Sequence, residues 1–221
     1  MTSQNERQCE IAWFSALCDD DYEFLGVPDP QLASSWEHCR NLVLRAEEGG
    51  FDNILLPSGY QLGVDTTIFA AAVAPYLERM KLLWAPRMGE DWPPQLARRI
   101  ATLDRILGWN ADRTVGRLNV NIISSDMPGQ KLESGPRYAR GTEIMKIVRT
   151  LLNGEHLDFR GEFYQMELDP ARITTLSGKC PPFYFGGLSH EARECAAEAC
   201  DVYLLWPDTM EKVRENIADL T

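Results

Sequence analysis

The chain has 221 residues, 44% hydrophobic and 25% charged, which is typical of a globular protein long enough to bury a sizeable core. Its formal net charge of −11 argues against nucleic acid or an anionic membrane as the main partner. No apolar run approaches the length of a membrane span, and the polar residues 1–10 lack a signal-peptide core, so we expect a cytoplasmic protein.

The six cysteines are scattered along the chain, with neither a CxxC pair nor a spacing typical of zinc ligands. Their distribution favours free thiols in a reducing compartment over a disulfide framework. We therefore expect no metal site.

Strand and helix patterns alternate along the whole chain. The predicted strands are short apolar runs at 11–17, 53–56, 81–85, 117–123, 183–185 and 201–206. The predicted helices have apolar positions at helical spacing and lie, with their caps, at 34–48, 65–76, 93–107, 137–153, 189–199 and 210–220. Residues 157–168 predict an inserted hairpin that turns at Arg160-Gly161.

This alternation predicts an α/β fold in which helices cover a parallel sheet, either an open doubly wound sheet or a (β/α) barrel of the TIM type. No change in composition marks a linker, so residues 1–221 are expected to form a single domain. In both architectures ligand groups gather at the carboxyl ends of the strands. Those ends are polar and rich in glycine, at 15–18, 58–60, 87–90, 121–126, 186–189 and 206–208.

The segment 181–192 predicts a buried strand, a two-glycine turn and the start of a helix. Gly186 and Gly187 allow the backbone to lie against a ligand, and Ser189 is placed to cap the helix. Free N–H groups at a helix start bind anions, so the segment is a candidate phosphate site. Most such turns, however, are simple strand-to-helix connections.

Five segments, in this order along the chain, resemble the bacterial luciferase-like flavin monooxygenases. They are ATLDR at 101–105, GRLNVNIIS at 116–124, RY at 137–138, DFRGEFY at 158–164 and PPFYFGGLSHEA at 181–192. Within that family the likeness is greatest to the alkanesulfonate monooxygenases that use reduced FMN, in which the strand and turn similarly run PPxYFGGxS.

The resemblance implies a TIM-barrel fold and a two-component reaction. A separate NAD(P)H-dependent flavin reductase supplies reduced FMN in that family, and the enzyme uses O2 to cleave the carbon–sulfur bond of a sulfonate, giving an aldehyde and sulfite. The implied partners are a small organosulfur substrate, O2 and the reductase, in a homo-oligomer. Two alternatives remain open: a flavin-binding protein without catalysis, and a deazaflavin-dependent oxidoreductase on the same barrel.

The resemblance also implies positions for the flavin. Tyr138 and the turn Gly187-Leu188-Ser189 match the positions that hold the FMN phosphate, and Asn121 matches a side chain facing the polar edge of the flavin. Each has a structural alternative: Tyr138 could pack at a helix entry, and either Asn121 or Asn119, on the same strand face, could satisfy loop backbone instead.

Two residues are candidates for binding the substrate. Ser58 ends the second strand, in a loop where alkanesulfonate enzymes often carry a cysteine, so the identity of the substrate stays open. Arg87 ends the third strand, and it could meet a sulfonate or form a salt bridge with Glu90 or Asp91.

Six strand–helix units fall short of the eight in a complete barrel, which needs about 250 residues. We therefore expect a barrel that lacks strands seven and eight, either as part of a longer enzyme or as a naturally short relative. The family's catalytic arginine and histidine lie on strand seven, so no catalytic residue is assigned. A sheet of six strands would leave two edges unpaired, at its first and sixth strands.

Overall fold

The computed structural model describes residues 9–15, 17, 34–60, 63–124 and 127–220. The strands are β1 (Ala12–Phe14), β2 (Asn53–Leu56), β3 (Lys81–Trp84), β4 (Leu118–Ile122), β5 (Leu157–Arg160), β6 (Gln165–Leu168), β7 (Phe183–Gly186) and β8 (Val202–Leu204). The helices are α1 (Trp36–Glu48), α2 (Thr66–Val73), α3 (Pro93–Leu107), α4 (Ser134–Leu152), α5 (His190–Ala199) and α6 (Met210–Leu220), and a 3-10 turn (Ala74–Tyr76) follows α2. Residues 16, 18, 125 and 126 of the predicted strand ends lie outside the described residues.

Six parallel strands form one sheet in the order β1-β2-β3-β4-β7-β8, while β5 and β6 form a separate antiparallel hairpin. Each strand of the sheet lies beside the next along the chain, which is the order of a (β/α) barrel wall; a doubly wound sheet reverses its strand order. The predicted barrel-type fold with about six units is therefore confirmed. The sheet ends at β1 and β8, the two edges expected. No helix in the described part of the chain is long and apolar enough to cross a membrane.

The two faces of the sheet differ in character. Alternate strand residues point toward the helices and form the core, among them Ile54, Trp84, Val120 and Phe183, all at most 1% exposed. Fully burying a large apolar side chain contributes about 1.5–3 kcal/mol, so this layer supplies much of the stability. The residues between them lie on the opposite, concave face, which includes the two asparagines of β4.

Side-chain caps begin several of the helices. Ser35 caps α1 by accepting a hydrogen bond from the His38 amide at 3.1 Å. Asp65 caps α2 through the Ile68 amide at 2.8 Å, and the Ser189 cap predicted for α5 is confirmed. These caps fix where each helix leaves its loop at the carboxyl edge of the sheet.

The hairpin is confirmed, but its predicted turn at Arg160-Gly161 is wrong. Arg160 still pairs with Gln165 across the hairpin, so the chain turns over the next four residues. The cause is Glu143 on α4, whose carboxylate accepts hydrogen bonds from three successive amides, Glu162 at 2.6 Å and the next two at 3.0 Å. A Cβ at Gly161 would overlap this carboxylate, so a glycine is needed at the turn.

Arg117 joins three elements at the amino end of the sheet. Its side chain is 5% exposed and donates hydrogen bonds to the carbonyls of Met80 at 3.2 Å, Leu77 at 2.9 Å and Leu107. Burial lowers the pKa of this guanidinium, and nearby Glu47 partly offsets the shift. The cluster ties the start of β3 and the end of α3 to β4.

Gly116 lies where a side chain cannot be accommodated. A Cβ there would overlap the Asp104 carboxylate, which is buried and accepts a hydrogen bond from the Leu176 amide at 2.7 Å. Gly116→Ala should therefore lower the free energy of unfolding by about 2–3 kcal/mol, measured by urea denaturation. The matched variant Gly135→Ala, with no atom near its Cβ position, should be neutral or slightly stabilising because alanine favours a helix. Equal stability of both variants would contradict the packing argument.

The buried carboxyl group of Asp104 should make the stability of the protein depend on pH. Burial raises its pKa, and the Leu176 hydrogen bond and Arg105 oppose that rise. A carboxyl group whose pKa is higher in the folded state stabilises the protein while protonated, and this contribution is lost as pH rises through the folded pKa. Asp104→Asn keeps an acceptor for Leu176 but cannot ionise. Relative to the wild type, it should therefore gain stability in urea unfolding as pH rises above the ordinary aspartate pKa of about 4; a pH-independent difference would contradict this.

Candidate functional site

Tyr138 and the glycine turn after β7 come together in space. Tyr138 lies in the second turn of α4, and its ring packs edge-on against Phe185 at a centroid distance of 5.9 Å. A Cβ on Gly187 would lie 3.5 Å from the Tyr138 hydroxyl. The ring therefore packs as the structural alternative requires, while the hydroxyl reaches the turn as the flavin assignment requires.

The turn itself has little space for side chains. A Cβ on Gly187 would lie 2.7 Å from the Cβ of Ala192, so only glycine fits without displacing α5. Ser189 caps α5 by accepting the Ala192 amide hydrogen bond at 3.2 Å, and its hydroxyl also hydrogen-bonds the Glu191 carboxylate, a contact that a phosphate would replace. Leu188, between them, is 51% exposed and points its side chain toward solvent. A tyrosine hydroxyl, a serine hydroxyl and a helix N-terminus thus converge on one small region, which suits a phosphate.

Arg137 is a site residue that the sequence reasoning did not single out. Its guanidinium lies 5.4 Å from the centre of the Tyr138 ring, and its backbone carbonyl accepts a hydrogen bond from the Ser124 hydroxyl at 3.3 Å. It adds positive charge over the Tyr138 ring. The signal was present in the RY pair at 137–138, which was used only for the resemblance.

Asn121 lies on the concave face of the sheet, 7% exposed, and pairs in register with Tyr184 on β7. Asn119 lies on the same face one step toward the amino end and is 6% exposed. Asn121 is thus the nearer of the two to the carboxyl edge, where ligands of such barrels bind.

Ser58 and Arg87 line a common cavity of about 290 Å³ at the carboxyl ends of β2 and β3. Arg87 is held to the sheet by a parallel bridge to Ile123, and its Nε lies 4.0 Å from a carboxylate oxygen of Glu90. Of the two salt bridges considered for Arg87, the structure shows the one to Glu90, since Asp91 instead pairs with Arg99 at 2.6 Å.

Glu90 lies between this cavity and a larger groove. Burial raises its pKa; Arg87 opposes that rise, and Asp65 and Asp91 add to it. The larger groove, about 550 Å³, runs between α2 and α3. Asp65, Arg87 and Glu90 line both spaces, so the two are adjacent.

The hairpin tip contacts the segment that precedes α3. Tyr164 packs edge-on against Trp92, the residue before α3, at a centroid distance of 5.4 Å. Arg140 on α4 lies near Gly89 of the β3–α3 loop and donates a hydrogen bond to Gln130 at 3.3 Å. Together with the Glu143 contacts, the tip links α4, which carries Tyr138, to the loop that carries Glu90.

Within the described residues, no group of three or more His, Cys, Asp or Glu side chains is arranged to hold a metal ion. The five cysteines in this part of the chain are free thiols. Burial raises the pKa of Cys180 and of Cys200 to about 12 each, so both thiols stay protonated and unreactive at neutral pH.

Comparison with known proteins shows close relatives that are considerably longer than this chain. The chain is 82% identical over 215 residues to a sulfoquinovose monooxygenase of Novosphingobium aromaticivorans, covering 97% of this chain and 59% of the relative. It is 46% identical over 220 residues to a sulfoquinovose monooxygenase of Agrobacterium fabrum, covering 98% of this chain and 55% of the relative. The chain thus spans little more than half the length of these relatives.

Solved structures share the fold at low sequence identity. A long-chain alkane monooxygenase superposes with a TM-score of 0.81 at 16% identity, over 97% of this chain and 60% of that one. The EDTA monooxygenase of Chelativorans sp. BNC1 superposes with a TM-score of 0.80 at 15% identity, over 97% and 57%. The model of the luciferase-like monooxygenase family matches residues 24–221. The resemblance seen in the five segments is therefore confirmed, and the chain belongs to the luciferase-like monooxygenase family.

Proposed function

We propose that this chain binds reduced FMN and serves in a two-component monooxygenase that cleaves the carbon–sulfur bond of an organosulfonate. The products are an aldehyde, sulfite, water and oxidised FMN. The observation that carries the proposal is the convergence of the Tyr138 hydroxyl, the Gly187 turn and the capped start of α5. The Tyr138 hydroxyl lies close to Gly187, which supports a phosphate bound between that hydroxyl and the start of α5.

Each residue has a separate task in this proposal. Tyr138, Ser189 and the first amides of α5 hold the phosphate, with Arg137 adding positive charge. Asn121 offers its amide to the polar edge of the ring system from the concave face. The flavin supplies the oxygen chemistry when bound, and the protein holds it, excludes water and orients the substrate.

The substrate class follows from the relatives. Both curated relatives are sulfoquinovose monooxygenases, which supports an organosulfur substrate bound near Ser58 and Arg87. The reaction also requires O2 and a separate NAD(P)H-dependent flavin reductase. We further propose a cytoplasmic homo-oligomer. The exposed Ile68 and Ile106 along the groove between α2 and α3 are suitable for contact with a second copy.

The test combines binding and turnover. The chain and, in parallel, the Novosphingobium relative are titrated with FMN and then assayed with a flavin reductase, NADH, O2 and a panel of sulfonates. We expect FMN binding and sulfite release that requires both reductase and O2. Tight flavin binding by the chain without sulfite release would favour the non-catalytic flavin-binding protein. Preference for a deazaflavin would favour a deazaflavin-dependent oxidoreductase, and a lack of any flavin binding would overturn the proposal.

A further inference from the structure

The cavity that Ser58 and Arg87 share is rich in hydrogen-bonding groups. Its described lining includes the side chains of Ser58, Tyr60, Asp65, Thr67, Arg87 and Glu90. The Ser58 Oγ is shielded from solvent and has no hydrogen-bond partner among the residues that the structure describes. A buried hydroxyl without a partner costs about 1–3 kcal/mol, so a ligand that supplies one gains that much.

We propose that Glu90 and Ser58 are specificity-determining residues that bind the hydroxyl groups of a polyhydroxylated sulfonate, such as a sugar sulfonate, beside Arg87. The inference rests on the proposed function and deepens it. Glu90 and Ser58 would distinguish organosulfonates by the groups carried on their carbon skeleton.

Glu90 is placed to accept hydrogen bonds from a ligand. Its separation of 4.0 Å from the Arg87 Nε is longer than a hydrogen bond, and its side chain is 46% exposed toward the cavity mouth. Its backbone amide contacts the Arg87 carbonyl at 3.4 Å, which keeps the two residues on one tight turn. A carboxylate offers only acceptors, and sugar hydroxyls are the matching donors.

The other cavity residues limit the alternatives. Asp65 already accepts the Ile68 amide hydrogen bond, and Thr66, which also lines the cavity, donates its hydroxyl proton to the Leu56 carbonyl at 3.1 Å. These two groups are therefore partly used by the fold. Ser58 and Glu90 retain hydrogen-bonding capacity, so they are the groups that a substrate would meet.

An alkyl sulfonate fits this cavity poorly. Its chain would leave the Ser58 hydroxyl without a partner, and it would remove water from the Glu90 carboxylate and return no hydrogen bond. A site built to bond a substrate hydroxyl rejects the analogue that lacks it far more strongly than an apolar pocket rejects an added methylene. The carboxylates also oppose a small bare anion at Arg87, so sulfate alone should bind weakly.

The test uses isothermal titration calorimetry with sulfoquinovose, hexanesulfonate and inorganic sulfate, on the chain with and without FMN. Both organic sulfonates have six carbons and one sulfonate, so they differ in their hydroxyls and ring. The sugar sulfonate should bind at least about tenfold more tightly than hexanesulfonate. Glu90→Gln and Ser58→Ala should each weaken the sugar sulfonate by about tenfold and leave hexanesulfonate nearly unchanged. The matched control Glu155→Gln, on an exposed loop, should alter neither.

The outcomes separate this inference from the proposed function. The inference would be overturned if the two sulfonates bound with equal affinity or if neither bound. It would also be overturned if the variants lost as much affinity for hexanesulfonate as for the sugar sulfonate. FMN titration of the same variants tests the flavin site alone, because neither residue belongs to it. Failure of FMN binding with a retained preference for the sugar sulfonate would overturn the proposed function and leave the inference standing. If one variant fails to fold, as judged by circular dichroism, the other decides.

Discussion

Replacing Arg117 with methionine should lower the free energy of unfolding by about 3–5 kcal/mol, measured by urea denaturation. The guanidinium donates to the carbonyls of Leu77 and Met80, in the connection before β3, and of Leu107, at the end of α3. Methionine fills a similar volume but donates nothing, so these buried carbonyls would lose their partner. Each unsatisfied buried acceptor costs about 1–3 kcal/mol.

Arg79→Met is the matched control for this prediction. Arg79 lies nearby and donates to a single carbonyl, that of Glu47, at 2.6 Å, but it is exposed and water can replace it. Its loss should cost no more than about 1 kcal/mol. If the two variants were equally stable, the Arg117 contacts would not be what joins β3, β4 and α3.

Most of the fold was predictable from local patterns. β2 and α3 match their predicted bounds. Each is a run of regularly spaced apolar residues ended by glycine or proline, and these two residues end a helix or strand through their own local backbone conformation. The barrel order followed from strand and helix alternation, which favours parallel neighbours whatever the side chains at the sheet edges are.

The missed features depend on contacts between distant residues. The turn of the β5–β6 hairpin moved because Glu143, about twenty residues earlier, binds three of its amides. Arg117 bonds carbonyls up to forty residues away. A side chain that bonds remote backbone leaves no periodicity in the sequence, so pattern analysis cannot find it.

The candidate site was predictable only in part. The resemblance selected Tyr138 and the Gly187 turn, and the fold brings them together because α4 and α5 both begin at the same edge of the sheet. For Arg87 the sequence left two salt bridges open, since Glu90 and Asp91 are adjacent and only the path of the β3–α3 loop decides between them. The role of Glu90 emerged only from the shape of the cavity.

The flavin assignment makes the second large prediction. Tyr138→Phe combined with Ser189→Ala should weaken FMN binding by about 2–4 kcal/mol, because each hydroxyl supplies a hydrogen bond to a charged phosphate. The measurement is an FMN titration followed by flavin fluorescence. Tyr76→Phe is the matched control, since Tyr76 is exposed in the 3-10 turn beside Trp36, and its affinity for FMN should be that of the wild type.

Ser189 has a second role that must be separated from phosphate binding. Its hydroxyl caps α5, so alanine there also costs the helix about 1 kcal/mol. Ser189→Asp preserves a cap while placing a negative charge where the phosphate would lie. It should therefore keep the thermal stability of the wild type and bind FMN at least as weakly as the alanine variant. If the folded double mutant or Ser189→Asp bound FMN with wild-type affinity, the assignment of the phosphate to this turn would be wrong.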